Sequence, residues 1–220
     1  MKTIKLLVVS MTLGWMLSVP CVMAQQTAPA DVQQAAVTGL QPLIAKIPAG
    51  SAGDYGFAAG DNLATATLGD PFLAYTITSS ALDQYRVGMA VASLVTKTTL
   101  WYFPVLIAGQ PRAMLVVNSL DNRSEAVSLG YAGLAKALGN VSRTWSASKD
   151  IMFIDVFQAH QFLFSVPAQG SQNLTRLVTQ EPVATGQINA AATPTDDYAT
   201  LGTAAGIIEQ LKPVVKDAIK

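Results

Sequence analysis

The sequence predicts an α+β fold: a mainly antiparallel sheet flanked by N- and C-terminal helices. Three observations carry this prediction. Apolar stripes of period 3.6 lie near both ends of the chain. Strand-like apolar runs bounded by turn residues fill the middle. The two strongest runs, Leu100 to Ala108 and Arg112 to Ser119, are separated by little more than Gly109-Gln110, which reads as a hairpin.

The first element in chain order is an address. Lys2 and Lys5 precede an apolar run from Leu6 to Val19, and Val22-Met23-Ala24 offers small residues ahead of Gln25. Residues 1–24 therefore read as a signal peptide cleaved between Ala24 and Gln25. The run is short of the about 20 residues that a membrane span needs, so no stable span is expected after cleavage. Cys21 raises the alternative of a lipid-modified cysteine, but Pro20 stands where lipoprotein signals carry a small residue. Residues 25–220 read as one periplasmic or secreted α+β domain.

That domain contains no cysteine, because Cys21 is the only one. Disulfides are thus excluded even in an oxidising compartment, and the core alone must hold the chain together. Half of the residues are hydrophobic and 13% are charged, which rules out a solvated coil. Lys plus Arg and Asp plus Glu stand at 14 each, and losing Lys2 and Lys5 leaves a slightly acidic balance. No basic run offers phosphate contacts, so nucleic acid is not expected as a partner.

Asp31 is placed to cap a first helix carrying Val32, Ala35, Ala36, Leu40, Leu43, Ile44 and Ile47 on one face. A Gly-rich loop follows near 49–60, and Asp61 is placed to cap a short helix over Asn62–Leu68. Phe72 to Thr78 reads as a strand, with a helical turn from Ser79 through Tyr85. In the hairpin, pairing Ala108 with Pro111 sets Phe103 against Val116 and Val105 against Met114. Trp101, Phe103, Val105 and Ile107 share one face; Leu100, Tyr102 and Leu106 share the other. Both faces are apolar, so part of the hairpin should be covered on both sides. Pro104 cannot donate to a ladder and marks a bulge or an unpaired side.

Glu125 to Leu129 reads as a third strand after the Asp121-Asn122-Arg123-Ser124 turn. A short helix over Tyr131–Leu138 should stop at Gly139-Asn140. Ile151–Gln158, Gln161–Val166 and Leu174–Thr179 read as further strands, with Asp155 interrupting the first. Residues 184–195 are poor in large apolar side chains and read as a linker. The last helix should be capped by Thr195 or Asp196 and carry Tyr198, Leu201, Ala205, Ile208, Leu211, Val215 and Ile219 on one stripe, with Pro213 kinking it.

The motifs for common chemistries are missing. There is no G-x-S-x-G elbow, no G-x-x-x-x-G-K-[ST] loop and no G-x-G-x-x-G fingerprint. His160 is the single histidine and cannot build a multi-histidine zinc site; it could act as a general base with Asp155 or Asp150 orienting it, or serve as a polar turn residue. The carboxylates Asp54, Asp61, Asp70, Asp83, Asp121, Glu125, Asp150 and Asp155 are scattered. Asn122-Arg-Ser, Asn140-Val-Ser and Asn173-Leu-Thr match the glycosylation sequon.

Leu68-Gly69-Asp70-Pro71-Phe72, followed by LWYFPVLIAGQPRAMLVV and a third strand, resembles modules of uncharacterised bacterial secreted proteins. The segment from Leu68 to Leu138 is also similar to PepSY domains. That resemblance implies a non-catalytic module of the kind that restrains peptidases, and it carries no functional residue with it.

The expectation is therefore an exported, non-catalytic binding or interaction protein of the bacterial cell envelope. Its partner would be an envelope protein or peptide, and it would need no cofactor and no metal. Tyr55 in the Gly-rich loop, with Trp101 and Tyr102 near the open end of the hairpin, are the expected partner contacts. The alternative is a periplasmic hydrolase using Asp residues or His160.

Overall fold

The computed structural model describes residues 27–148, 150–179 and 198–218. The expected signal peptide, its Ala24/Gln25 cleavage point, the linker at 184–195 and the Thr195/Asp196 cap lie outside the described residues.

The architecture is α+β. Among the described residues eight strands form one mostly antiparallel sheet: β1 (Thr67–Leu68), β2 (Phe72–Ile77), β3 (Val95–Ile107), β4 (Gln110–Leu120), β5 (Arg123–Gly130), β6 (Met152–Val156), β7 (Gln161–Ser165) and β8 (Thr175–Arg176). Their order is β5-β4-β3-β2-β6-β7-β8, with β1 paired to β3. Only β2 and β6 run parallel. Helices α1 (Ala30–Ala45) and α4 (Ala204–Asp217) stand at the two ends of the chain; α2 (Ser79–Gln84) and α3 (Ala132–Thr144) lie between them.

Alternation along the strands divides the core. On one sheet face, Tyr102, Met114, Val116, Phe153 and Phe164 pack under Leu134, Ala135, Leu138 and Val141 of α3. On the other, Trp101, Phe103, Val105, Leu115 and Val117 meet Val32, Ala36, Leu40 and Ile44 of α1. Further along that second face, Ile77, Ile154, Val156 and Leu163 meet Leu82 of α2 and Ile208, Leu211 and Val215 of α4. The sheet is thus buried on both faces, which explains why its central strands read as continuous apolar runs.

Several local expectations need correction. The central hairpin turns at Ala108-Gly109, both with positive φ (49° and 75°), so Ile107 pairs with Gln110. Two left-handed residues make a type I′ turn, whose twist matches that of the strands. A register shift between Val105 and Leu106 then sets Phe103 against Leu115 and Val105 against Ala113. Pro104 stands one residue before this shift.

Helix α3 runs through Gly139-Asn140 to Thr144. Glycine at 139 serves contact: a Cβ there would lie 2.9 Å from Pro111 Cγ. Asp31 sits inside the first turn of α1, which starts after Pro29. Asn62, not Asp61, caps a single 3-10 turn over Leu63–Thr65.

The C-terminal helix begins only at Ala204. Before it, Leu174 N–H donates to Gly202 O, Gly202 N–H to Thr175 Oγ1 and Ala204 N–H to Gln172 O. These bonds hold the approach extended, so Tyr198 and Leu201 pack under α3's face of the sheet instead of on the helical stripe.

Candidate functional site

A cleft of about 570 Å³ opens among the described residues. It lies where the chain enters the two parallel strands, at Asp70-Pro71 ahead of β2 and at Asp150-Ile151 ahead of β6. Phe72, Leu73 and Tyr75 of β2, Met152 of β6, Val95 and Lys97 of β3, and Ser142 and Trp145 at the end of α3 complete most of its wall. A volume in this range suits a small molecule.

The sequence builds the cleft by interrupting regular pairing. Leu73 opposes Trp101, yet Tyr75 already opposes Lys97, so β3 spends extra residues beside Ala74. Thr98 stitches the excursion: its Oγ1 donates to Ala74 O at 2.7 Å and accepts from Leu100 N–H at 3.1 Å. The bulge carries Val95 and Lys97 to the cleft. Trp145 is fixed as a wall by its Nε1–H, which donates to Tyr198 O at 3.0 Å. Phe72 is held edge-on to Phe153 at 6.5 Å between ring centroids.

Asp150 is the distinctive polar group. Its Oδ2 accepts from Ala168 N–H at 2.9 Å. Its Oδ1 is shielded from solvent and has no hydrogen-bond partner among the described residues. Buried polar atoms are normally satisfied, so this unmet oxygen sets Asp150 apart from the other lining residues.

A second polar feature lies elsewhere on the sheet. Tyr102 Oη–H donates to Asp155 Oδ2 at 2.9 Å, and the two residues are 4% and 6% exposed. Burial raises the Asp155 carboxyl to about 6, opposed by the Tyr102 hydrogen bond and by the charge of nearby His160. Burial, then the charge of Asp155, also raises the Tyr102 phenol. Asp155 does not interrupt β6: it pairs with Phe162 inside the ladder. Neither Asp155 nor His160 lines the cleft.

The residues expected to meet a partner fall in different places. Trp101 is 8% exposed and packs under α1; Tyr102 is buried on the opposite face. Both are interior residues of β3 and offer no open surface. Tyr55 is half-buried in a 3-10 turn over Ala52–Tyr55. The Gly-rich segment around it is tied down. Phe57 is in the core, and Asp61 takes the Ala58 N–H at 2.7 Å while holding Arg112 of β4 through two contacts at 2.9 and 3.1 Å.

The scattered carboxylates do not gather: no three His, Cys, Asp or Glu side chains converge among the described residues. Asn173 is 7% exposed, and its amide bonds Val166 N–H, Val166 O, Ser165 Oγ and Gly170 O, so its sequon is closed in the folded state.

Reasoning from sequence missed the cleft. Trp145, Asp150 and Lys97 are spread over fifty residues and share no motif; the one available signal was Leu68-Gly69-Asp70-Pro71-Phe72, which leads into its floor. No helix among the described residues is long and apolar enough to cross a membrane. No family model, no curated protein and no solved structure matches this chain.

Proposed function

We propose that this chain is an exported, non-catalytic binding protein of the bacterial cell envelope, and that the cleft beside Trp145 is its ligand seat. The observation that carries this reading is the make-up of the cleft. It combines a fixed aromatic wall, the Asp150 carboxylate and a volume fit for a small molecule. Among the described residues the lining includes serines but no histidine or cysteine, so no nucleophile there is paired with an imidazole base. Binding needs only shape, apolar contact and a few placed polar groups, and those are what the wall supplies. Export is supported by the charged start, the apolar run and the Val22-Met23-Ala24 stretch.

One observation favours a second reading. Asp155, raised to about 6 with His160 beside it, has the perturbed acidity that general acid–base chemistry uses. A broad hydrolase panel run on the wild type and on Asp155→Asn and His160→Ala separates the two. The binding reading expects no turnover in any of the three proteins. Turnover in the wild type that either change abolishes would replace it with a hydrolase.

A further inference from the structure

The charges around the cleft narrow the chemistry of what it holds. Two carboxylates, Asp70 and Asp150, line it, and α3 ends there at Ser142–Trp145. The end of a helix carries the negative pole of its dipole. Lys97 is the one cation among the described lining residues, and it is exposed at the rim. Among the described lining residues the balance is negative. Two acids fall short of the donor set that hard metal ions require. The rings of Phe72, Tyr75 and Trp145 supply apolar contact and faces that attract an organic cation.

Resting on the reading of this cleft as a ligand seat, we propose that it binds a small primary ammonium carried on an aromatic or aliphatic body. The ammonium pairs with the Asp150 carboxylate and the body lies against Phe72 and Trp145. A free amine and the amino terminus of a short peptide share this chemistry. They differ at Lys97, which meets a carboxylate only in the peptide.

The test titrates the folded protein with phenethylamine, with its neutral counterpart 2-phenylethanol and with the dipeptide phenylalanylalanine. The Trp145 indole N–H and the Phe72 and Met152 amides are followed by NMR. Phenethylamine should shift these signals saturably and bind at least tenfold more tightly than the alcohol. Asp150→Asn keeps an acceptor for the Ala168 N–H and should bring the amine to the alcohol's affinity while leaving the alcohol unchanged. The wild-type comparison of amine with alcohol needs no variant, so it decides even if Asp150→Asn does not fold. Tighter binding of the dipeptide than of the amine identifies a peptide amino terminus; the reverse identifies a free amine. Equal affinities for amine and alcohol overturn the ammonium assignment but leave the cleft as a ligand seat. If none of the three probes shifts these signals saturably, the ligand-seat reading falls with it.

Discussion

The Tyr102 hydroxyl reaches across the neighbouring strand β2 and hydrogen-bonds Asp155 Oδ2 at 2.9 Å, joining β3 to β6 inside the sheet's helix-covered face. Around the pair stand aromatic rings: Phe153 at 4.9 Å and Tyr131 at 6.5 Å from the Tyr102 centroid. An acid in such surroundings is costly to ionise, and this one hydroxyl offsets part of the cost. Tyr102→Phe should therefore destabilise the fold by about 1–3 kcal/mol. Urea unfolding at pH 8 and pH 5 checks it. The loss should be larger at pH 8, where Asp155 is ionised and left without its donor; equal losses would mean that the bond is worth no more to the ion than to the acid.

The same pair sets a pH dependence. In the folded chain Asp155 holds its proton up to about 6, whereas an unfolded aspartate releases it near about 3.9. Between these values the folded state binds more protons, so stability falls as pH rises and levels off above about pH 6. The full effect is at most about 3 kcal/mol. Asp155→Asn keeps an acceptor for Tyr102 and should flatten the profile between pH 4 and 6. Asp31, lowered chiefly by the Ser124 hydroxyl, acts in the opposite sense, at lower pH and at the exposed surface. A wild-type curve that rises through this window would contradict the assignment.

Helix α1 crosses the sheet at Gly39. A Cβ built there would come within 2.2 Å of Ala126 Cβ on β5. Gly39→Ala should cost about 1–3 kcal/mol by overpacking, although alanine gains up to about 1 kcal/mol in helix propensity. Thermal unfolding should show a net loss for Gly39→Ala and recovery in Gly39→Ala/Ala126→Gly. Failure of the second change to rescue would place the cost elsewhere.

Ala108 holds φ at 49° in the central hairpin, a conformation that a Cβ disfavours. Ala108→Gly relieves it and should stabilise the protein by about 0.5–1 kcal/mol. A gain in the urea midpoint at unchanged slope checks this. A loss would mean that the turn is held by contacts that alanine itself makes.

The sequence revealed the layers better than the joints. The alternation of Trp101, Phe103 and Val105 against Leu100 and Tyr102 announced a strand covered on both faces, because side-chain period survives any error in register. The turn itself was misplaced by one residue. Gly109-Gln110 has the form of a II′ turn, and nothing in the sequence announces that Ala108 accepts a left-handed conformation instead. Gly139-Asn140 has the form of a helix stop, but the chain uses that glycine to approach Pro111. Tyr198 and Leu201 continue the spacing of the last helix, yet Tyr198 lies in a turn and Leu201 in the non-helical approach, because pairing of Gly202 and Ala204 with Gln172, Leu174 and Thr175 wins there. The cleft was illegible for a related reason. Its wall depends on a bulge at Thr98 and on parallel pairing of β2 with β6, both of which are tertiary events.

A small-fragment NMR screen, reading every backbone amide and tryptophan indole of the folded protein, tests the central claim most directly. The expected hits, neutral and cationic, perturb Phe72, Trp145, Ile151 and Met152 together. Hits that bypass these residues and gather at Asp155 and His160, or no concentrated hits at all, would contradict the cleft as the functional centre.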